Sequence, residues 1–434
     1  MLRDMTSTPG TSKRSFGIGL MALAGAIFLA VHVFGFSNAV TLSGDMVYGD
    51  GTAADLTPPP RYRLMRVPAT PLAAKHDAAN RLAADFAQIY FCAQQFDRPG
   101  AAYNTKDTLD PWHRPALYAP LTHWLCLVTV CKLPYGYASL GHVLAQYLLF
   151  LLSFVFAFKV LAIMRHLPLG LLLVNGGLFL TPVGLSWFER GQFSLYVGSA
   201  YLWLFLGLYK RNALFLILAA LFAYVKWTSF PAIFVVLCLW ILTAKSKEDR
   251  IRILGLTLAF AATIVVCFLL FLDHGLYFLS SILTQELSNR IPYGISLMHI
   301  IPRWTVKILP VLIVALGWLG ARRYRLDFEA LFPFLLGASI VSLLYPTAAY
   351  EYNVPSLFGL IPFAIHWALS PDLGRALVGR VMAGLFILFL AVAAFSPLSN
   401  HANTYFYLVV SVIMMALPLW ASRKDTGGHG LRPA

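Results

Sequence analysis

Long apolar runs, separated by short polar or basic breaks, recur over most of this chain and limit what it can fold into. A membrane-crossing helix needs about 20 apolar residues. With 59% hydrophobic and only 12% charged residues, a soluble globule of this size could not cover its apolar surface. The sequence therefore predicts an all-α polytopic membrane protein of about 12 transmembrane helices, at 16–37, 138–160, 168–187, 192–208, 212–225, 229–244, 252–272, 305–321, 329–346, 354–370, 378–396 and 404–421.

The distribution of Lys and Arg predicts which helix ends face the cytoplasm, where loops are enriched in both residues. With the N-terminus inside, 19 of the 33 basic residues fall in inner segments, whereas the late outer loops at 347–353 and 397–403 contain none. We therefore attribute the net charge of +14 to basic residues that set the orientation of the chain in the membrane, and not to a nucleic-acid-binding surface. Both termini are expected in the cytoplasm of a multi-pass cell-membrane protein. The chain has no Asn-x-Ser/Thr sequon, which favours a bacterial cytoplasmic membrane.

These spans predict one transmembrane domain, 16–421, between short cytoplasmic tails at 1–15 and 422–434. The first outer loop, about 38–137, is the largest, and the longest of the later ones is about 273–304.

Two segments of the first outer loop are predicted to be helical. Residues 73–96 are rich in Ala and contain no Gly or Pro. The apolar segment Tyr118–Lys132 is expected to lie at the outer surface or dip partly into the membrane. If that segment were a full span, every later loop would lie on the opposite side of the membrane, and Lys and Arg would no longer be concentrated in the inner loops.

The five cysteines, Cys92, Cys126, Cys131, Cys238 and Cys267, show no CxxC pair and no metal-ligand spacing. The sequence therefore predicts no disulfide framework and no zinc or other metal site. It also contains no P-loop, dinucleotide fingerprint or nucleophile elbow.

Charged groups at membrane depth are costly, which makes them candidates for function. Asp85 lies in the predicted loop helix; the alternative is a surface carboxylate paired with Arg81 one turn earlier. Lys226 separates two short apolar runs, so a phosphate could stabilise its ammonium below the outer interface. The alternative for Lys226 is a lysine that extends to the interface from the end of a span.

Further candidate binding residues lie in the predicted outer loops. Arg190 and Gln192 open the fourth span, and the alternatives are an ion pair with Glu189 and a polar helix start. Arg290 and Arg303 could bind phosphate or lie at the membrane interface. The last candidates are Glu351 and its neighbour Tyr350, whose ring could stack on a sugar or lie at the interface.

Several short motifs follow one another in a recognisable order. They are D-x-x-Q-x-Y-F-C-A from Asp85, Ala-Tyr-Asn at 102–104, Tyr-Ala-Pro-Leu at 118–121, Gly191-Gln192, Lys226, and Tyr-Glu-Tyr-Asn at 350–353. In this order and spacing, over roughly 16–370, the chain resembles the integral-membrane GT-C glycosyltransferases, in particular glycosyltransferase family 87.

The resemblance implies a hexosyl- or pentosyltransferase that moves a sugar from a polyprenyl-phosphate donor to an extracytoplasmic glycan or lipid acceptor. It implies no cofactor, because the lipid-linked sugar phosphate is itself the donor, and membrane lipids are the other expected partners. The essential Asp of the family's first outer loop corresponds to Asp85. An extra stretch, about 40–72, leaves Asp45 as the alternative base. A single base implies inversion at the anomeric carbon.

Two other functions fit a polytopic chain. A secondary transporter of a small solute also suits twelve spans with both ends inside, although such proteins commonly show repeated halves. A polysaccharide polymerase or ligase uses related lipid-linked chemistry, although its large outer loop more often comes late in the chain.

Overall fold

A computed structural model describes residues 84–104, 107–110, 116–133, 135–179, 184, 187–188, 191–287, 293–294, 297–344, 348–349, 351–370, 373–395 and 400–427. The predicted first span, 16–37, and the part of the predicted first outer loop that precedes residue 84 lie outside these residues.

The described residues are almost entirely helical, and the predicted all-α class is confirmed for them. The α-helices are α1 Ala84–Ala93, α2 Pro120–Val128, α3 Tyr135–Val160, α4 Leu167–Phe179, α5 Ser194–Lys210, α6 Ala213–Val225, α7 Phe230–Leu242, α8 Lys247–Leu269, α9 Leu272–Leu287, α10 Arg303–Tyr324, α11 Phe332–Leu344, α12 Ile361–Ala368, α13 Leu373–Phe395 and α14 Asn400–Gly427. Short 3-10 helices span Ala101–Tyr103, Val130–Lys132, Met164–His166, Trp227–Ser229, Leu297–His299 and, at greater length, Glu351–Leu360. Two-residue strands, β1 Tyr293–Gly294 and β2 Ala348–Ala349, pair in parallel.

Three helices of the described part of the chain, within α3, α8 and α10, are long and apolar enough to cross a membrane. Large apolar side chains on two of them are exposed: Leu258 of α8 by 59% and Leu316 of α10 by 63%. Exposed apolar surface on this scale suits contact with lipid tails better than contact with water. Membrane character is therefore supported by the fold, while the count of twelve spans stays a prediction.

Two predicted segments have a different local structure from the one expected. The longest late outer loop begins with a helix, α9. Polar residues interrupt its apolar run without disturbing a helical period, so a search for continuous apolar runs passes over it. The predicted span 354–370 starts inside the 3-10 helix Glu351–Leu360 and becomes α-helical only from Ile361. Pro355 within that 3-10 helix has no backbone N–H to donate to an α-helical hydrogen bond.

Cys126 and Cys131 form a disulfide, so the prediction of no disulfide framework is wrong for this pair. Helix α2 ends at Val128, and the chain then turns through the 3-10 helix Val130–Lys132. This turn brings the two Cα atoms to 5.0 Å, within the range that a disulfide spans. The pairing depends on that turn, and a spacing of five residues does not reveal it.

Helix α5 lies at the centre of the fold and packs against α3, α6 and the 3-10 helix Glu351–Leu360. Contact with the 3-10 helix is backbone to backbone, because Gly198 of α5 faces Gly359. A Cβ atom at position 359 would overlap the Gly198 carbonyl group. Two glycines therefore set how closely the 3-10 helix approaches α5.

Replacing Gly359 with Ala is expected to destabilise the protein by about 1–3 kcal/mol, because backbone atoms cannot move aside as a flexible side chain can. The measurement is thermal unfolding in detergent, where the midpoint should fall. Gly255→Ala is the matched control, since a Cβ there meets nothing within 4 Å and Ala is the better helix former. Equal midpoints for the two variants would contradict this account of the α5 contact.

Candidate functional site

The segment before α5 is a tight turn that directs Gln192 into the protein. Gly191 has a φ of 60°, in the left-handed region that glycine enters without a Cβ clash. The Gln192 amide N–H then donates to the carbonyl of Trp187 at 3.1 Å. Only 3% of Gln192 is exposed, so its side chain lies among the helices.

Helix α3 holds this turn in place through two buried polar side chains. The amide nitrogen of Gln146 donates to the Gln192 carbonyl at 2.7 Å, and its oxygen accepts from the Leu195 N–H at 2.8 Å. His142 Nε2 lies 3.2 Å from the Gly191 carbonyl and donates to it. The Leu195 N–H is in the first turn of α5 and has no acceptor within the helix, and the two carbonyls belong to the turn that precedes it.

The α5–α6 hairpin brings Lys226 back to the level of this turn. Arg211 ends α5 with a φ of 50°, and Asn212 caps α6 by accepting from the Leu214 N–H at 2.8 Å. Helix α6 then runs antiparallel to α5 and ends at Val225, directly before Lys226. A lysine and a glutamine 34 residues apart in sequence therefore meet.

Four side chains from four parts of the chain form one hydrogen-bonded row. Gln192 Nε2 donates to Asp85 Oδ2 on α1. Lys226 Nζ donates to Gln192 Oε1 at 2.7 Å and to Asn353 Oδ1, in the 3-10 helix Glu351–Leu360, at 3.0 Å. We call Asp85, Gln192, Lys226 and Asn353 the polar row.

The polar row places a carboxylate and an ammonium close together without direct contact. Two hydrogen bonds through one amide keep the two charges within about 8 Å. Asp85 is 8% exposed, and a carboxylate so far out of water is costly unless hydrogen bonds and a nearby cation stabilise it. Chemically, the row combines a proton acceptor with a cation able to bind an anion.

The structure brings together three of the site residues predicted from sequence, namely Asp85, Gln192 and Lys226. Arg303 begins α10, and Glu351 begins the 3-10 helix that carries Asn353. The other predicted positions lie outside the described residues: Asp45, Arg190, Arg290 and Tyr350.

Sequence reasoning missed two contributors to the site. Asn353 was part of the Tyr-Glu-Tyr-Asn motif, but only the tyrosine and the carboxylate of that motif were singled out. Gln146 lies in the middle of an apolar span, and a buried amide in such a position is itself a signal.

A second polar contact, in the predicted outer region, is electrically neutral. Tyr103 Oη lies 3.3 Å from His123 Nδ1 of α2. Burial, followed by the nearby His274, lowers the pKa of His123 to about 3, and burial raises the pKa of Tyr103. Both groups stay uncharged near neutral pH, so this contact is a poor candidate for acid–base chemistry or anion binding.

No protein-family model, curated protein or solved structure matches this chain. Within the described part of the chain, no three His, Cys, Asp or Glu side chains group in a way that could hold a metal ion. Support for a function therefore comes from the sequence pattern, the fold and the polar row.

Proposed function

We propose that this chain is a membrane glycosyltransferase that moves a hexosyl or pentosyl group from a polyprenyl-phosphate donor to an extracytoplasmic glycan or lipid acceptor. The observation that carries the proposal is the polar row, which joins the Asp85 carboxylate to the Lys226 ammonium through Gln192. Resemblance to the GT-C glycosyltransferases supports it, because Asp85, Gln192 and Lys226 belong to the motifs that carry that resemblance.

Sugar transfer of this kind is a single displacement. The acceptor hydroxyl gives its proton to the Asp85 carboxylate as its oxygen forms a bond to the anomeric carbon. The bond between that carbon and the donor phosphate oxygen breaks, and the electron pair leaves with the phosphate. Lys226 stabilises the negative charge that grows on this leaving group. One base and one cation suffice, and the configuration at the anomeric carbon inverts.

Gln192 and Asn353 act as positioning residues in this scheme. Gln192 lies between the Asp85 carboxylate and the Lys226 ammonium and is hydrogen-bonded to both. The Gln192 amide satisfies one oxygen of Asp85 and one hydrogen of Lys226 at a fixed spacing. Asn353 holds Lys226 from the opposite element, so the ammonium is oriented before a phosphate arrives.

The proposal places the polar row near the outer face of a twelve-span bundle. The Cys126–Cys131 disulfide supports this side, since it lies in the predicted first outer loop and disulfides persist in oxidising compartments. The positions of Lys and Arg support the same orientation.

Sidedness is tested by labelling engineered cysteines with a membrane-impermeant thiol reagent. Thr105→Cys, in the predicted outer loop, should be labelled from outside intact cells. Ser246→Cys, at the start of α8 on the predicted cytoplasmic side, should be labelled only after permeabilisation. The parent chain is the control for its own cysteines, and the reverse pattern would put the polar row on the wrong side for the proposed donor.

The function itself is tested by mass spectrometry of envelope glycans and lipids from cells with and without the gene. Loss of the gene should remove one sugar from a glycan or glycolipid while its polyprenyl-phosphate donor accumulates. Unchanged glycans together with an unchanged donor pool would contradict the proposal.

A further inference from the structure

A cavity of about 570 Å³ opens at the end of the helix bundle remote from the polar row. Helix α5 begins beside Gln192 and runs for 17 residues to Lys210, a length of about 25 Å. The cavity is lined by the segments in which α3, α5 and α12 end. It is therefore separate from the site described above, and its volume is in the range of small-molecule sites.

The inner wall of the cavity is aromatic. Phe332 packs against Phe205 at 5.1 Å and Phe363 at 5.6 Å between ring centroids, and lies parallel to Trp367 at 6.3 Å. All four side chains line the cavity. Such a wall favours an apolar or planar group over a small hydrophilic ion.

The mouth of the cavity carries two arginines. Arg165 follows α3, and its Nε donates to the ring of its neighbour His166 at 2.9 Å; it forms no ion pair with any of the described residues. Arg211 follows α5 and pairs with Asp249 while remaining 43% exposed. Guanidinium groups bind phosphate through paired hydrogen bonds, so two arginines at one opening can bind different oxygens of the same phosphate.

We propose that this cavity binds a phosphorylated amphiphile, with the phosphate at Arg165 and Arg211 and the apolar part against the aromatic wall. Glu329 lies on the same lining and would repel a bare anion. The ligand that fits therefore presents a hydroxyl or amine beside its phosphate, as phosphoglycerol does. A membrane phospholipid and a soluble phosphate ester share this chemistry.

The position of the cavity favours a membrane phospholipid as its ligand. The cavity lies where several helices end, at the level of basic residues that the sequence places on the cytoplasmic side. Phospholipid head groups occupy that level of a membrane, and their acyl chains can follow the exposed apolar helix surfaces. This site does not depend on the transferase proposal, because it shares no residue with the polar row.

Native mass spectrometry of the purified full-length protein in detergent tests the proposal. Phosphatidylglycerol should bind saturably with one equivalent per chain. Binding of glycerol 3-phosphate is measured in parallel, to test a soluble phosphate ester as the ligand. Arg165→Ala should weaken binding about tenfold, the loss expected for one charge-assisted contact. Arg252→Ala is the matched control, because Arg252 is exposed on the same side and does not line the cavity; its binding should equal that of wild type.

A second variant separates the cavity from the outer protein surface. Ser370 lines the cavity, and Ser370→Trp would fill it while leaving both arginines in place. The site is supported if either phosphate compound binds saturably to wild type and its affinity falls in both Arg165→Ala and Ser370→Trp. Which of the two compounds binds then shows whether the ligand is a lipid or a soluble phosphate ester. No saturable binding, or undiminished binding in Arg165→Ala or in a Ser370→Trp protein with wild-type thermal stability, would overturn it.

Discussion

Asp85→Asn is expected to reduce sugar transfer by 10²–10⁴-fold, the usual cost of losing a positioned base. Asn keeps the size of the side chain, and its carbonyl oxygen can still accept from Gln192 Nε2, so the polar row stays assembled. What it cannot do is take the proton of the acceptor hydroxyl. Transfer rates and donor binding in purified protein are the two measurements: the rate should nearly vanish, whereas donor affinity should change little.

Asp97→Asn is the matched control for this variant. Asp97 lies shortly after α1 and is exposed, so its loss should leave the rate unchanged. Full activity in Asp85→Asn, or a retained anomeric configuration in the wild-type product, would remove Asp85 from the role of base. Asp45 would then be the carboxylate to test.

Lys226→Ala is expected to lower kcat/KM by roughly 10–100-fold, the range for one hydrogen bond to a charged group. The ammonium binds the donor phosphate in the ground state and stabilises it further as it leaves. Most of the effect should therefore appear as a higher KM for donor, with a smaller fall in kcat at saturating donor. Steady-state kinetics over a range of donor concentrations separates the two constants.

Lys245→Ala is the control for loss of a lysine. Lys245 is largely exposed and pairs with Asp327 at 3.3 Å, and such surface pairs contribute little. An unchanged KM for donor in Lys226→Ala, with the whole deficit in kcat, would contradict a phosphate-binding role. Thermal unfolding of Lys226→Ala should also be measured, because the variant leaves Gln192 Oε1 without its donor.

The meeting of Gln192 and Lys226 follows from features that are visible in the sequence. A two-residue break between the apolar runs of α5 and α6 requires antiparallel neighbours, which brings the end of one helix back to the start of the other. Placing Asp85 beside them took more than local pattern, because α1 is remote in sequence.

Other contacts of the site could not be predicted from local pattern. The bond between Lys226 and Asn353 depends on how closely the 3-10 helix Glu351–Leu360 packs on α5, which the Gly198–Gly359 contact determines. The partners of Gln146 are backbone groups of a different helix. A side-chain amide can both donate and accept hydrogen bonds, so its partners are determined by tertiary packing and not by residue type.

Release of polyprenyl phosphate by the purified protein in liposomes tests the proposed sugar transfer itself. A set of polyprenyl-phosphate sugars would be supplied with an envelope extract as acceptor, and products would be followed by mass spectrometry. Wild type should release polyprenyl phosphate from one donor and add its sugar to an acceptor with inversion, whereas Asp85→Asn should do neither. Equal release by the two proteins, or movement of a solute across the liposome membrane with no release from any donor, would contradict it.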